Sequence, residues 1–137
     1  MNEFLQKAYM ETIYQIVDQK DIYKLRLNTL NHEFSIWCKK CNIRSWAFIT
    51  AFNPFSNELS KFENELLNSQ LQQTIIKEGY NFNLGKGVPA DDNWDSEESF
   101  FIHNISLSNA KKIGIKFNQN AIVYGDSDNL KKLIWLV

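Results

Sequence analysis

The 137 residues of this chain correspond to one domain, residues 1–137, and are enough to bury a hydrophobic core. A hydrophobic content of 44% and an aromatic content of 14% exclude a disordered chain. The formal net charge is -1 and no run of Lys and Arg exceeds two residues, so we expect neither nucleic acid nor a membrane as a partner.

The first part of the chain predicts a helix, a hairpin, a second helix and a strand. Residues 2–10 have apolar side chains at helical spacing. The next segment is rich in β-forming residues, and the alternating segment after a turn completes a pattern typical of two paired strands. Asn31 is a suitable N-cap for a helix whose apolar stripe ends at Cys41. The strands are expected at Thr12–Val17, Ile22–Leu27 and Arg44–Phe52.

The rest of the chain predicts two helices and two strands. Ser60 and Glu63 match the S-x-x-E capping box, which opens a long helix from Ser60 to Glu78. Residues 81–97 are rich in turn-forming types and are predicted to be mostly loop. The predicted inward face of the long helix comprises Phe62, Leu66, Leu67, Leu71 and Ile75. The remaining elements are a strand at Ser99–Ile105, a helix capped by Ser106 or Ser108, a strand at Gln119–Tyr124 and a turn at Gly125–Asp128, with Leu130–Val137 too short to assign.

Helices and strands in this order indicate an α+β fold. We expect a single mixed or antiparallel sheet of about five strands, with helices packed mainly on one face. No repeat, low-complexity tract or long linker divides the chain.

The expected location is the cytoplasm. The N-terminal stretch does not resemble a secretion signal, and no stretch approaches the length of a membrane span. Two cysteines without such a signal are typical of a protein kept in a reducing compartment.

Three motifs that often carry chemistry have simpler structural explanations here. Cys38 and Cys41 form a C-x-x-C motif, but the sequence has no second pair of ligands to complete a zinc site. Both cysteines lie on an apolar helical stripe, where cysteine packs as a small hydrophobic residue, so no metal site is predicted. Gly85-Lys86-Gly87 is followed by Pro89 rather than by a helix, which favours a turn over a phosphate-binding loop. The acidic residues within 91–98 lack the calcium-loop pattern, and no cofactor is identified.

Polar side chains gather where the predicted strands begin and end. The apolar run that starts at Trp46 ends in small polar groups, and Pro54 then stops regular strand pairing. Glu98 leads directly into a buried strand, where partial desolvation would raise its pKa. If these strand ends meet, they form a neutral-to-acidic site for a small polar ligand, nucleotide- or sugar-like, with Trp94 or Phe55 stacking on a ring. The candidate ligand-binding residues are Thr50, Asn53, Ser56, Asn64, Glu98, Ser99, Gln119 and Asn120.

Two other functions are consistent with the sequence. Many aromatic residues and a balanced charge also suit a protein-interaction or regulatory module, and they leave a homodimer open. A carboxylate-dependent acid/base enzyme would use Glu98 and Glu63, although no nucleophile or basic phosphate clamp accompanies them. Glu63 is also expected to close the capping box with Ser60, which favours a structural role for it.

Four stretches of the sequence form a recognisable set: Trp46–Ser56, Ser60–Asn64, Glu97–Phe100 and Phe117–Gly125. Together they resemble a small bacterial family catalogued as domain of unknown function 3293. The likeness extends from Ala8 to Gly125 and implies one intact domain with the element order given above. The family usually has Gly at the position of Asn118, and the resemblance implies no particular activity.

Overall fold

The computed structural model describes residues 3–90, 95–126 and 131–137. Within these residues the chain forms four α-helices and seven strands, with a short 3-10 turn at Pro54–Ser56. None of the described helices combines the length and the apolar character needed to cross a membrane. The helices are α1 (Glu3–Glu11), α2 (His32–Lys40), α3 (Lys61–Lys77) and α4 (Leu107–Lys116). The strands are β1 (Ile13–Asp18), β2 (Asp21–Leu25), β3 (Trp46–Ile49), β4 (Phe82–Val88), β5 (Glu97–His103), β6 (Ala121–Gly125) and β7 (Lys131–Trp135).

The seven strands belong to one antiparallel sheet that is curled into a half-barrel. The order across the sheet is β2-β1-β4-β5-β3-β6-β7, so β2 and β7 form its two edges. Lys131, at the start of β7, donates hydrogen bonds to the carbonyl oxygens of Arg26 and Thr29, which follow β2. This contact joins the two edge regions, as the curl of the sheet requires.

The prediction of about five strands is wrong because it omits β4 and β7. Residues 81–97 contain β4 rather than mostly loop, and Gly85-Lys86-Gly87 lies inside that strand rather than in a turn. A Cβ at Gly85 would meet the carbonyl oxygen of Gln15 and lie 2.9 Å from the Phe48 ring. Gly85 therefore leaves space for the Phe48 ring of another strand. Local composition cannot predict this need for space, because glycine in a sequence usually indicates a turn.

Helices cover both faces of the sheet, so the prediction of helices mainly on one face is also wrong. Side chains of β3 alternate between two cores: Ala47 and Ile49 pack in the core under α3 and α4, whereas Trp46 and Phe48 pack in the core against α2. All four residues of β3 are buried. A strand that is covered on both faces needs such a continuous apolar run, and this run is the sequence signal of two-sided burial.

The inward face of α3 differs from the predicted one in its first half. Phe62 and Leu66 are 76% and 52% exposed, whereas the buried positions there are Asn64 and Asn68. The second half of the helix buries apolar residues as predicted. The prediction from hydrophobic periodicity placed Phe62 and Leu66 inside. Periodicity depends only on the spacing of apolar residues and contains no information about the backbone groups near the end of β3 that need hydrogen-bond partners.

The predicted helix starts are confirmed. The side chain of Asn31 accepts a hydrogen bond from the Phe34 N–H at 2.9 Å. Ser60 and Glu63 form both halves of a capping box at the start of α3, and Ser106 caps α4. These contacts are local, so they follow from the order of a few neighbouring residues.

Candidate functional site

The chain leaves β3 through a strained turn at the start of the candidate site. Asn53, Phe55 and Ser56 have φ angles of 47°, 54° and 62°, a left-handed conformation that residues other than glycine adopt rarely. The Phe55 N–H donates to the carbonyl oxygen of Asn118, whose own φ is 55°. Asparagine tolerates this conformation better than most residues, because its short polar side chain can form local hydrogen bonds. Such strain persists only where the surroundings fix the backbone, and it is common at binding sites.

A reciprocal pair of asparagines holds this turn against α3. The Asn53 N–H donates to Asn64 Oδ1 at 2.8 Å, and Asn64 Nδ2 donates to Asn53 Oδ1 at 2.8 Å. Asn53 Oδ1 also accepts from the Leu59 N–H at 3.0 Å. An amide side chain suits this position because it donates and accepts at once. The burial of Asn64 is therefore explained by the turn it fixes.

A second set of contacts ties the ends of β3 and β5 together. Thr50 Oγ1 and Asn68 Nδ2 both donate to the carbonyl oxygen of Glu98, at 2.7 and 2.9 Å. Asn68 Oδ1 accepts from the buried Ala51 N–H at 2.9 Å. These side chains complete backbone hydrogen bonding where the regular ladder stops.

The carboxyl group that reaches the strained turn belongs to Glu97. Asn53 Nδ2 donates to Glu97 Oε2 at 3.0 Å. Burial raises the pKa of the Glu97 carboxyl above its ordinary value, and the hydrogen bond from Asn53 offsets part of that rise. Glu97 faces Gly87 on β4, and Gly87 faces Tyr14 on β1. The glycine in the middle of this row leaves space between the carboxyl group and the tyrosine.

Two hydroxyl groups, those of Tyr9 and Ser56, belong to the same region as Glu97. Burial is the main cause that raises the pKa of Tyr9, and the charge of Glu97 adds to it. The nearby Ser56 hydroxyl lowers this pKa in part. Asn120 Nδ2 donates to Ser56 Oγ at 2.7 Å. Tyr9 is positioned by Trp135, with ring centroids 5.6 Å apart in an edge-on arrangement. We call Tyr9, Asn53, Ser56, Glu97 and Asn120 the Glu97 cluster.

The cluster carries one half-buried carboxyl group, two hydroxyls and two amides, and none of its five residues is cationic. Ser56 is exposed, so the cluster reaches the protein surface. With their pKa values raised, Glu97 and Tyr9 both hold their protons more tightly than in water. The arrangement can therefore donate and accept hydrogen bonds toward a neutral polar molecule.

The structure brings most of the predicted site residues into one region, but in different roles. Glu98 contributes its carbonyl oxygen and its side chain is exposed. Ser99 is buried and donates to the carbonyl oxygen of Glu97 at 3.0 Å. Gln119 Nε2 donates to the carbonyl oxygens of Phe52 and Phe117. The members that bond chiefly to backbone are Thr50, Asn64, Ser99 and Gln119.

Sequence reasoning did not single out Tyr9, Asn68 or Glu97 for this site. The spacing of Asn68 four residues after Asn64, on a face continued by Leu71, was a usable signal for Asn68. Tyr9 lies far from Glu97 in sequence, so no local pattern connects them.

The other chemistry-bearing residues lie elsewhere. Cys38 is buried with the pKa of its thiol raised to about 12, and Cys41 is exposed. Burial lowers the pKa of His103, and the charge of Asp18 opposes that effect. Among residues 3–90, 95–126 and 131–137, no three His, Cys, Asp or Glu side chains come together as metal ligands. Trp94, predicted as a stacking residue, and the acidic residues 91 and 92 lie outside the described residues, as does part of the turn predicted at residues 125–128.

A family described as protein of unknown function (DUF3293) matches residues 49–122, which is more than half of the chain. No curated protein and no solved structure matches the chain. The matched region contains Asn53, Ser56, Glu97 and Asn120, whereas Tyr9 precedes it. The chain therefore belongs to the DUF3293 family of proteins of unknown function.

Proposed function

We propose that the protein binds a small polar ligand, nucleotide- or sugar-like, at the Glu97 cluster. The observation that carries the proposal is the half-buried carboxyl group of Glu97, to which Asn53 of the strained turn donates a hydrogen bond at 3.0 Å. The charge of this carboxyl group also raises the pKa of Tyr9. A carboxyl group is costly to bury, and chains that place one beside a strained turn at the surface often use it in a site. We place this binding in a bacterial cytoplasm, in keeping with two free cysteines and with the family resemblance.

The chemistry of the cluster favours the sugar or nucleoside part of such a ligand. Carboxyl, amide and hydroxyl groups pair with the hydroxyl groups of a sugar, each of which donates and accepts. The cluster itself supplies no cation for a phosphate group. Phe55 is half-exposed next to Ser56 and offers a ring on which a base or sugar ring can stack.

The test is thermal and chemical unfolding in the presence of nucleosides, nucleotides, monosaccharides and amino acids. A ligand at a hundred times its dissociation constant should raise the free energy of unfolding by about 2.7 kcal/mol. We expect Glu97→Gln and Tyr9→Phe to abolish this gain. Glu98→Gln is the matched control, since it removes a carboxylate one residue away whose side chain is exposed, and it should retain the gain.

Two outcomes would contradict the proposal. The first is that no compound in the panel stabilises the parent protein. The second is that a stabilising compound protects Glu97→Gln as much as it protects the parent, which would place its site elsewhere.

A second candidate function is supported by α3. Phe62, Leu66 and Ile76 are exposed and lie on one side of this helix. An exposed apolar stripe suits a protein-interaction module or a homodimer. Sedimentation of the parent and of a Phe62→Ser, Leu66→Ser variant tests the homodimer. A dimer that dissociates in the variant supports this function, and a monomeric parent at high concentration argues against self-association.

A further inference from the structure

A groove of about 430 Å³ lies beside the last turns of α3 and α4. Pro54, Leu67 and Phe117 give it an apolar part. Its volume falls in the range of small-molecule sites. Neither the predicted site residues nor the members of the Glu97 cluster line this groove, so the function proposed for that cluster does not account for it.

The charge of the groove has one sign. Lys77 and Lys116 line it, and no Asp or Glu does. Within the part of the chain that the structure describes, the ion pairs are Lys7–Glu11 and Lys61–Glu65, so neither groove lysine is neutralised by a carboxylate.

The contacts of Lys116 hold its charge in the groove. Its Nζ donates to Thr74 Oγ1 at 3.4 Å and lies 5.7 Å from the centroid of the Phe117 ring. Thr74 and Phe117 both line the groove. A lysine held this way keeps donor capacity for a further acceptor, because its ammonium group has three protons.

Side-chain amides complete the lining. Gln70, Gln73 and Asn118 belong to it, and amide N–H groups are good donors to an oxyanion. We propose that this groove binds a small oxyanion, the phosphate or carboxylate group of a ligand, with Lys77 and Lys116 supplying the charge. A lysine near a helix C-terminus also offsets the helix dipole. That effect accounts for each lysine singly, but it does not account for two lysines without a carboxylate partner among the described residues and three amides around one concave surface.

The test uses two probes, inorganic phosphate and acetate, titrated separately into ¹⁵N-labelled protein at constant ionic strength. We expect saturable shifts of the backbone amides of residues 70–77 and 116–118. The probe that binds more tightly identifies the class of oxyanion. A Lys77→Gln, Lys116→Gln variant should bind at least about tenfold more weakly, as expected when charged donors are lost.

Lys111→Gln, Lys112→Gln is the matched control, because it removes the same charge from exposed positions of α4 that do not line the groove. This control variant should bind the probe as tightly as the parent protein does. Absence of saturable shifts with both probes at roughly 50 mM would overturn the inference, since a site with a dissociation constant of roughly 1 mM would be nearly saturated at that concentration. Equal weakening in the two double variants would also overturn it, because only net charge would then matter. Neither lysine belongs to the Glu97 cluster, so this result is independent of the proposed function.

Discussion

Replacing Asn53 with alanine should destabilise the protein strongly, for reasons that combine hydrogen bonding and backbone conformation. The substitution removes the bonds from Leu59 N–H and Asn64 Nδ2 and the bond to Glu97, at distances of 2.8–3.0 Å. At about 1 kcal/mol each, these contribute about 3 kcal/mol. Holding alanine at a φ of 47° adds about 1 kcal/mol. We expect a loss of about 4 kcal/mol in the free energy of unfolding, measured by urea denaturation.

Asn53→Gly separates the two contributions. Glycine loses the same hydrogen bonds but adopts a positive φ without strain. The glycine variant should therefore be more stable than the alanine variant by about 1 kcal/mol, the reverse of their order at ordinary helix or strand positions. If alanine costs less than about 1 kcal/mol, or is the more stable of the two, the hydrogen bonds and the left-handed backbone of Asn53 do not hold this turn.

Three further predictions concern the site and its support. Because the folded-state pKa of Glu97 is raised, the folded protein binds a proton more tightly than the unfolded chain, so stability should fall as the pH rises from 4.5 through the raised value. Glu97→Gln should flatten this part of the profile in denaturation curves from about pH 4 to pH 8; an unchanged slope would show that another group titrates there. Gly85→Ala should cost more than about 2 kcal/mol because its Cβ meets the carbonyl oxygen of Gln15, whereas Gly87→Ala, whose Cβ meets nothing closer than 3.8 Å, should cost clearly less; similar losses would contradict this packing. Asn68→Leu should cost about 2–3 kcal/mol by leaving a buried backbone N–H without a partner, and a smaller loss would show that the backbone adjusts.

Elements fixed by neighbouring residues could be predicted from the sequence. The capping box of Ser60 and Glu63 and the N-cap Asn31 involve contacts over three residues, so the amino-acid order specifies them. The first hairpin was predicted from the β-forming residues of β1, the turn after it and the alternation along β2. The polar groups after β3 also marked the region where the candidate site lies.

The sheet was predicted less well because local composition did not identify β4 and β7. β7 is an edge strand that pairs with β6, whereas one partner of β4 is distant in sequence. β4 pairs with β1 and β5, and its Gly85 is required by the Phe48 ring and the Gln15 carbonyl oxygen, which belong to other strands. A sequence window around Gly85 contains neither Phe48 nor Gln15, so it indicates a turn.

The sequence by itself determined where helices begin, which run of residues forms the buried centre of the sheet, and where polar groups leave that run. Only the tertiary structure decided that Asn64 and Asn68 face inward in place of Phe62 and Leu66. It also decided that the side chain of Glu97, rather than that of Glu98, bonds to Asn53 in the strained turn. The physical reason is that caps and apolar runs depend on neighbours along the chain. The partner of a buried polar group instead depends on which distant backbone groups the fold leaves unpaired.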